Sequence, residues 1–190
     1  MKLLFATGNS HKLSEARAIL GPVGIEVESY SGPEPKETGT SFLENALIKA
    51  KAAFEATGVP AIADDSGISV EVMGGAPGIF SAIWSGGRDD KTNRDLLLAQ
   101  MQDIAPEHRA ASFVCTIAYV SKDAEISFTG VWPGHLALEA SGDHGFGYDP
   151  VFIPEGFEIS AAELEPEIKN SLSHRYMALM QMRDYFEQLR

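Results

Sequence analysis

Three observations predict an α/β fold with a mixed sheet of long strands. Short apolar runs alternate with amphipathic helical patterns, two long β-like runs sit next to each other in the second half, and glycine or proline marks most junctions. Lys2 to Ala6 is an apolar run broken by Thr7-Gly8-Asn9. From Ser10 to Leu20 the spacing becomes helical, with Leu13, Ala16, Ile19 and Leu20 on one face. Residues Ile25 to Tyr30 read as a second strand, and SGPEPKETG follows as a polar loop. Ser41 with Glu44 forms a capping box for a helix to about Thr57, stopped by Gly58 and Pro60. Ala61 to Ala63 predicts a strand ending at Asp64-Asp65-Ser66-Gly67, with Ile68 to Met73 as another and GGAPG as a loop. Asp89 or Asp90 can cap a helix through about Ile104 that buries Leu96, Leu97 and Met101. Ala111 to Ser121 and Glu125 to Trp132 predict a central antiparallel pair across the turn Lys122-Asp123-Ala124. Gly142 to Pro150 is glycine-rich, Val151 to Ile153 is a short strand, and Ser173 to Leu189 closes as a helix.

At 190 residues the chain suits a single domain, 1–190, with room for a small lobe. An apolar share of 44% with 22% charged residues is ordinary for a globular protein that needs no staples. The lone Cys115, inside SFVCTIAYV, points to a reducing compartment. MKLLFATGNS has too short an apolar stretch for a signal peptide, and no run approaches the roughly 20 apolar residues of a membrane span. A cytoplasmic protein without a membrane partner is therefore expected. A formal charge of −12 argues against nucleic-acid binding, which relies on a broad basic surface. A small polyanion is still admissible if it meets a local basic pocket, helped by a divalent cation.

Five segments have the chemistry for such a site. In Thr7-Gly8-Asn9-Ser10-His11-Lys12, a glycine turn between strand and helix lets backbone N–H groups and the helix start face an anion, while Lys12 adds charge. The same residues also read as a plain βα turn capped by Asn9 or Ser10, and the spacing is not that of a Walker A loop. In Asp64-Asp65-Ser66-Gly67, with Glu37 upstream, hard carboxylate oxygens at a strand end suit Mg²⁺; a solvated turn is the competing reading. Adjacent acids on a strand point opposite ways, so one of them is the principal ligand or base. Asn45 and Lys49 share a helix face that otherwise reads as solvated. Glycines around Phe146 and Tyr148 in Gly145-Phe146-Gly147-Tyr148-Asp149 suit a platform for a flat base, or a turn whose aromatics plug the core. Finally, Lys169-Asn170-Ser171-Leu172-Ser173-His174-Arg175 gathers cations where a helix begins, against the local electrostatic preference, and such conflicts tend to mark function.

Together these segments resemble the inosine triphosphate pyrophosphatase family, in order and over nearly the whole chain: TGNSHK, ETGTSFLENALIKAKA, ADDSG, GGAPG, RAASFVC, GFGYDPVF, AAEL and KNSLSHR. The resemblance implies an elongated central mixed sheet flanked by helices, two lobes with a substrate cleft between them, and a homodimer. It implies hydrolysis of aberrant purine nucleoside triphosphates, those of inosine, deoxyinosine and xanthosine, to monophosphate and pyrophosphate. By the same resemblance Thr7, Gly8, Asn9, Ser10, His11 and Lys12 contact the triphosphate, and Lys49 and Ser66 hold phosphate oxygens. Asp65 is the proton acceptor and a Mg²⁺ ligand, assisted by Glu37 and Asp64. Phe146, Gly147, Tyr148, Asp149, Lys169, His174 and Arg175 form the base and sugar end. One departure is visible: the family usually carries Ser-Ala-Arg-Tyr after the APG loop, whereas this chain has Ser81-Ala82-Ile83-Trp84.

In chemical terms the reaction is mostly positioning and charge neutralisation. Donors from His174 and Arg175 would suit the oxygen at position 6 of hypoxanthine and xanthine and would face an amino group in adenine. Two other readings fit the same residues: a pyrophosphatase of different base preference, and a nucleotide sensor without hydrolysis. The full acid set of Glu37, Asp64 and Asp65, together with Lys49, speaks against the sensor.

Overall fold

The computed structural model describes residues 1–189. The elements in chain order are β1 (Lys2–Phe5), α1 (Ser10–Leu20), β2 (Glu26–Ser29), α2 (Phe42–Thr57), β3 (Ala61–Val70), α3 (Asp90–Gln100), β4 (Ala110–Val120), β5 (Glu125–Leu136), β6 (Phe152–Pro154), α4 (Pro166–Leu172) and α5 (His174–Gln188). One six-stranded sheet has the order β2-β1-β3-β4-β5-β6. It is mixed, as expected: β1 runs parallel to β2 and β3, while β5 and β6 are antiparallel.

The helix starts follow the cap chemistry. Asn9 Oδ1 accepts the N–H groups of His11 and Lys12 and so begins α1. Ser41 Oγ accepts the Glu44 N–H, but the returning Glu44 carboxylate takes the N–H and hydroxyl of Thr40, one residue before the cap. Gly58, at φ +68°, ends α2 in the left-handed conformation and donates its N–H to Phe54.

Two expectations at ADDSG and at the C-terminal cations are corrected. The predicted strand end, turn and new strand are one continuous strand, β3, running through Asp64-Asp65-Ser66-Gly67. Gly67 is extended rather than turned, and its missing side chain serves a close approach: a Cβ there would meet Gly78 O and Ser81 Oγ at 2.4 Å. The KNSLSHR segment does not simply open the last helix. Lys169 lies in the last turn of α4, the end a cation prefers, and only His174 and Arg175 open α5. Smaller differences are that α3 stops at Gln100 rather than Ile104 and that β5 extends to Leu136.

The chain divides into two compact units. Among the described residues the first comprises 1–65, 115–130 and 175–189. Strand alternation assigns its helices to opposite faces. Leu3, Phe5, Ile62, Cys115 and Ile117 pack with Ala16 and Leu20 of α1 and with Ala178, Leu179, Met182 and Phe186 of α5. The intervening residues Leu4, Ala61, Ala63, Ala118 and Val120 pack with Ala46, Ala50 and Ala53 of α2. Alanines line both sides of this second layer.

The second unit comprises residues 66–114 and 131–174. Its interior holds an aromatic cluster in which Phe113 contacts Trp132, Phe152 and His174. Arg109 is fully buried and donates to the carbonyls of Met101, Leu136 and Ala137, binding the end of α3 to the end of β5.

Candidate functional site

The alternation that sorts the core of the first unit also sorts its acids. Asp64 continues the Ile62 face of β3, and Asp65 the Ala63 face. Asp64 therefore meets α1 and α5. Its Oδ2 accepts Lys12 Nζ at 2.8 Å and Arg175 Nε at 3.3 Å, with Cys115 Sγ at 3.8 Å. The Arg175 Nη1 donates to Glu15 at 3.1 Å. Side-chain exposure is 1% for Asp64 and 4% for Arg175, so this is a buried, charge-balanced network. Burial would raise the Asp64 pKa, but Lys12 and Arg175 outweigh it and hold the carboxyl well below the usual range. The Cys115 thiol, by contrast, is pushed up to about 12 by burial and by the Asp64 charge.

Asp65 meets α2. Asn45 Nδ2 donates to its Oδ2 at 3.2 Å, and Lys49 Nζ lies 3.8 Å from its Oδ1. The same ammonium donates to Glu37 Oε1 at 2.5 Å. Asn45 Oδ1 accepts the Gly39 N–H at 2.8 Å, fixing the loop that carries Glu37. The Asn45–Lys49 face is thus not the solvated one; both side chains are buried. Burial raises the Asp65 pKa, helped by Glu37 and Asp64 and opposed by Lys49. Burial alone would lower the pKa of Lys49, but Asp64, Glu37 and Asp65 hold it above its ordinary value.

Glu37 and Asp65, sharing one lysine, form a pair of hard-oxygen donors that fits a hard divalent cation, which commonly takes one or two carboxylates and completes its shell from substrate and water. Among the described residues no group of three or more His, Cys, Asp or Glu is placed to hold an ion without such help. Asp64 differs, because its Oδ2 is already shared by two cations. At the start of α1, Thr7 Oγ1 accepts the Asn9 N–H at 3.1 Å, so Thr7 and Asn9 order the turn; Gly8 has open space where a Cβ would stand. Ser10 and His11 are exposed, and Ser66 is half-buried on β3.

The second unit contains the glycine-rich loop. Of its two aromatics only Phe146 is exposed; the other plugs the interior, with Tyr148 Oη donating to Ser81 O at 2.7 Å. Asp149 is buried, and its Oδ2 accepts the Phe146 N–H at 2.8 Å and Lys169 Nζ at 2.6 Å. The Lys169 ammonium lies 5.1 Å from the centre of the Phe146 ring, a cation–π contact. His174 stacks on Phe113 with ring centres 4.9 Å apart and planes nearly parallel. Ile83, at the position of the usual family arginine, is exposed, and its neighbour Trp84 donates Nε1 to Gln100.

The structure therefore brings Lys12, Asp64 and Arg175 into one cluster and Glu37, Lys49 and Asp65 into another. It brings Phe146, Asp149 and Lys169 into a third. Glu15 was not singled out from the sequence, and Asn45 was noted only on a polar face. Both lie on helices where a surface carboxylate or amide is commonplace. The one signal was the four-residue spacing of Asn45 and Lys49.

Known proteins resemble this chain over almost its full length. A model described as the Ham1 family matches residues 3–185. A dITP/XTP pyrophosphatase of Leifsonia xyli is 51% identical over 182 residues, covering 94% of this chain and 92% of that protein. One from Mycobacterium tuberculosis is 48% identical, with 94% and 91% covered. Among solved structures, a HAM1 protein from Coxiella burnetii superposes with a TM-score of 0.93 at 37% identity, covering 99% of both chains. A dITP/XTP pyrophosphatase from Mycobacterium abscessus gives 0.82 at 44% identity, covering 96% and 98%.

Proposed function

The chain belongs to the Ham1 family, and from that membership we propose that it hydrolyses non-canonical purine nucleoside triphosphates, dITP and XTP among them, to monophosphate and pyrophosphate. The observation that carries the proposal is the group around Asp65: a carboxylate made more basic by burial, beside a charged Lys49 and a second carboxylate, Glu37.

In the proposed reaction water attacks the α-phosphorus in line, and the bridging oxygen leaves with pyrophosphate. Asp65 orients that water and takes its proton; a raised pKa suits a base better than an ordinary carboxylate would. Asn45 fixes the Asp65 rotamer through Oδ2. Lys49 and Lys12 neutralise charge on the phosphates, aided by backbone N–H groups of residues 7–12. Glu37 and Asp65 would hold Mg²⁺. When bound, the ion neutralises the triphosphate and acidifies the water. Asp64 we assign to holding Lys12 and Arg175 in place. Recognition of the base we assign to Phe146, Asp149, Lys169 and His174, where donors suit a purine oxygen at position 6 and disfavour the amino group of adenine.

We read residues 1–190 as one functional domain, since β3, β4 and β5 each continue from one unit into the other. A homodimer is proposed on the exposed apolar side chains of Val72, Phe80 and Ile83, which sedimentation would test. A cytoplasmic location is proposed on the buried lone Cys115, and among the described residues no helix is long and apolar enough to cross a membrane.

The deciding experiment measures pyrophosphate release from dITP, XTP, ATP and GTP with and without Mg²⁺, for the wild type and for Asp65→Asn. Turnover of dITP and XTP well above ATP, lost on metal omission and reduced about 100-fold or more by Asp65→Asn, is expected. No turnover of any triphosphate at saturating Mg²⁺ would end the proposal. Full activity in Asp65→Asn would remove Asp65 from it.

A further inference from the structure

Phe146 is an exposed aromatic whose backbone is held with unusual completeness. Three successive peptide groups around it are bound by side chains. Asp149 Oδ2 accepts the Phe146 N–H at 2.8 Å, and Asp90 Oδ2 accepts the Gly147 N–H at 2.9 Å. Arg94 Nη1 donates to the Gly147 carbonyl at 2.9 Å. Asp90 and Arg94 stand four apart on α3 and so share one helix face, which grips both sides of the Gly147 residue. Gly147 itself has φ +60°, a conformation other residues adopt reluctantly.

Stability alone does not account for this grip. Glycine loops at a surface ordinarily hydrogen-bond to water. Arg94 also has its Nε buried with no hydrogen-bond partner among the described residues, which carries a desolvation penalty. What the grip does accomplish is to fix the Cα–Cβ direction of Phe146, a residue that is 45% exposed and whose ring is touched from one side by Lys169. A fixed ring loses little freedom when a flat base stacks on it, and preorganisation of that kind is converted into affinity.

We propose that Asp90 and Arg94 are positioning residues that set the Phe146 platform and thereby the affinity for the nucleobase. The inference rests on the proposed assignment of Phe146 to the base. Its action is confined to binding: neither residue takes part in the chemistry at phosphorus.

The test uses full-length protein carrying Arg94→Ala, Asp90→Ala or Arg94→Lys. Steady-state hydrolysis of dITP is measured with inorganic triphosphate as a competitive inhibitor, alongside inosine monophosphate binding by calorimetry and hydrogen exchange at the Gly147 amide. Each alanine variant should raise KM for dITP and Kd for the monophosphate about tenfold, change kcat less than twofold, and leave the triphosphate Ki unaltered. Gly147 should exchange faster, and Arg94→Lys should recover part of the affinity. Folded alanine variants with wild-type KM and Kd would overturn the inference. So would triphosphate inhibition weakening in parallel with KM, since a general disturbance of the fold does that. Absence of hydrolysis by the wild type would defeat the proposed activity instead, and the calorimetric Kd values would still decide this inference. A wild type that binds no monophosphate would defeat it as well.

Discussion

Asp64 and Asp65 are neighbours in sequence with opposite environments, and the difference follows from strand alternation. Asp64 turns into a dry layer and is neutralised there by Lys12 and Arg175, whereas Asp65 keeps some solvent and sits among Asn45, Lys49 and Glu37. Removing one member of a buried ion network leaves its partners' charge uncompensated, which costs about 3–5 kcal/mol. Asp64→Ala should therefore destabilise the fold by about that amount in urea titrations, while Asp65→Ala, at a wetter position, should cost less than half as much. The pH dependence has a definite sign. The Asp64 carboxyl is depressed in the folded protein, so its contribution is complete above the usual carboxylate range and is lost as pH falls below it. The acid limb of the stability curve should consequently be shallower in Asp64→Asn than in the wild type. The acidic pair and its opposed directions were legible from the sequence. Glu15 was not, and Asn45 only through its four-residue spacing from Lys49, because their significance comes from which strand faces their helices. For Gly145 to Asp149 the sequence leaves a stacking platform and a core-plugging turn both open, and the structure divides them between the two aromatics: Phe146 is exposed, while Tyr148 is buried with its hydroxyl reaching Ser81 O.

The elements that carry their own stop and start chemistry were readable: α1 begins after Asn9, and α2 lies between Ser41 and Gly58. Gly67 is the exception: glycine after two acids and a serine has the composition of a turn, which is what the sequence predicts there. Inside a sheet the same glycine can mark a place where other chain comes too near for a side chain, and here Gly78 O and Ser81 Oγ fill that space. Ser81 Oγ in turn accepts the Ile68 N–H at 3.0 Å and donates toward Gly78 O at 2.6 Å, so the contact is polar and directional. Gly67→Ala should then cost about 1–3 kcal/mol through overpacking, near the upper end because backbone rather than a flexible tip stands in the way. Thermal denaturation checks this. Gly8→Ala is the control, since nothing lies within 4 Å of a Cβ there, and it should cost less than Gly67→Ala. A Gly67→Ala protein as stable as the wild type would mean that the chain can back away from β3 at no cost.

Across the whole molecule, 27 acidic residues outnumber 15 basic ones, for a formal net charge of −12, yet the proposed ligand is itself a polyanion. The two facts are compatible because they act over different distances. At physiological ionic strength the Debye length is about 8 Å, so the summed surface charge is largely screened for an approaching nucleotide. Lys49 is buried and Lys12 half-buried beside the carboxylates that position them, and both would act at contact distance, where salt screens poorly. A protein that captured its ligand through a broad basic surface would lose affinity steeply as salt rose. Here the long-range term is repulsive, so salt should remove an obstacle rather than an attraction. Raising KCl from about 0.02 to 0.15 M at fixed free Mg²⁺ should leave kcat/KM for dITP unchanged or raise it up to severalfold. Stopped-flow binding should assign any gain to the association rate, since contacts made inside the site govern release. A drop of tenfold or more over that range would mean that the ligand is gathered by long-range attraction after all, and the local account of its binding would have to be given up.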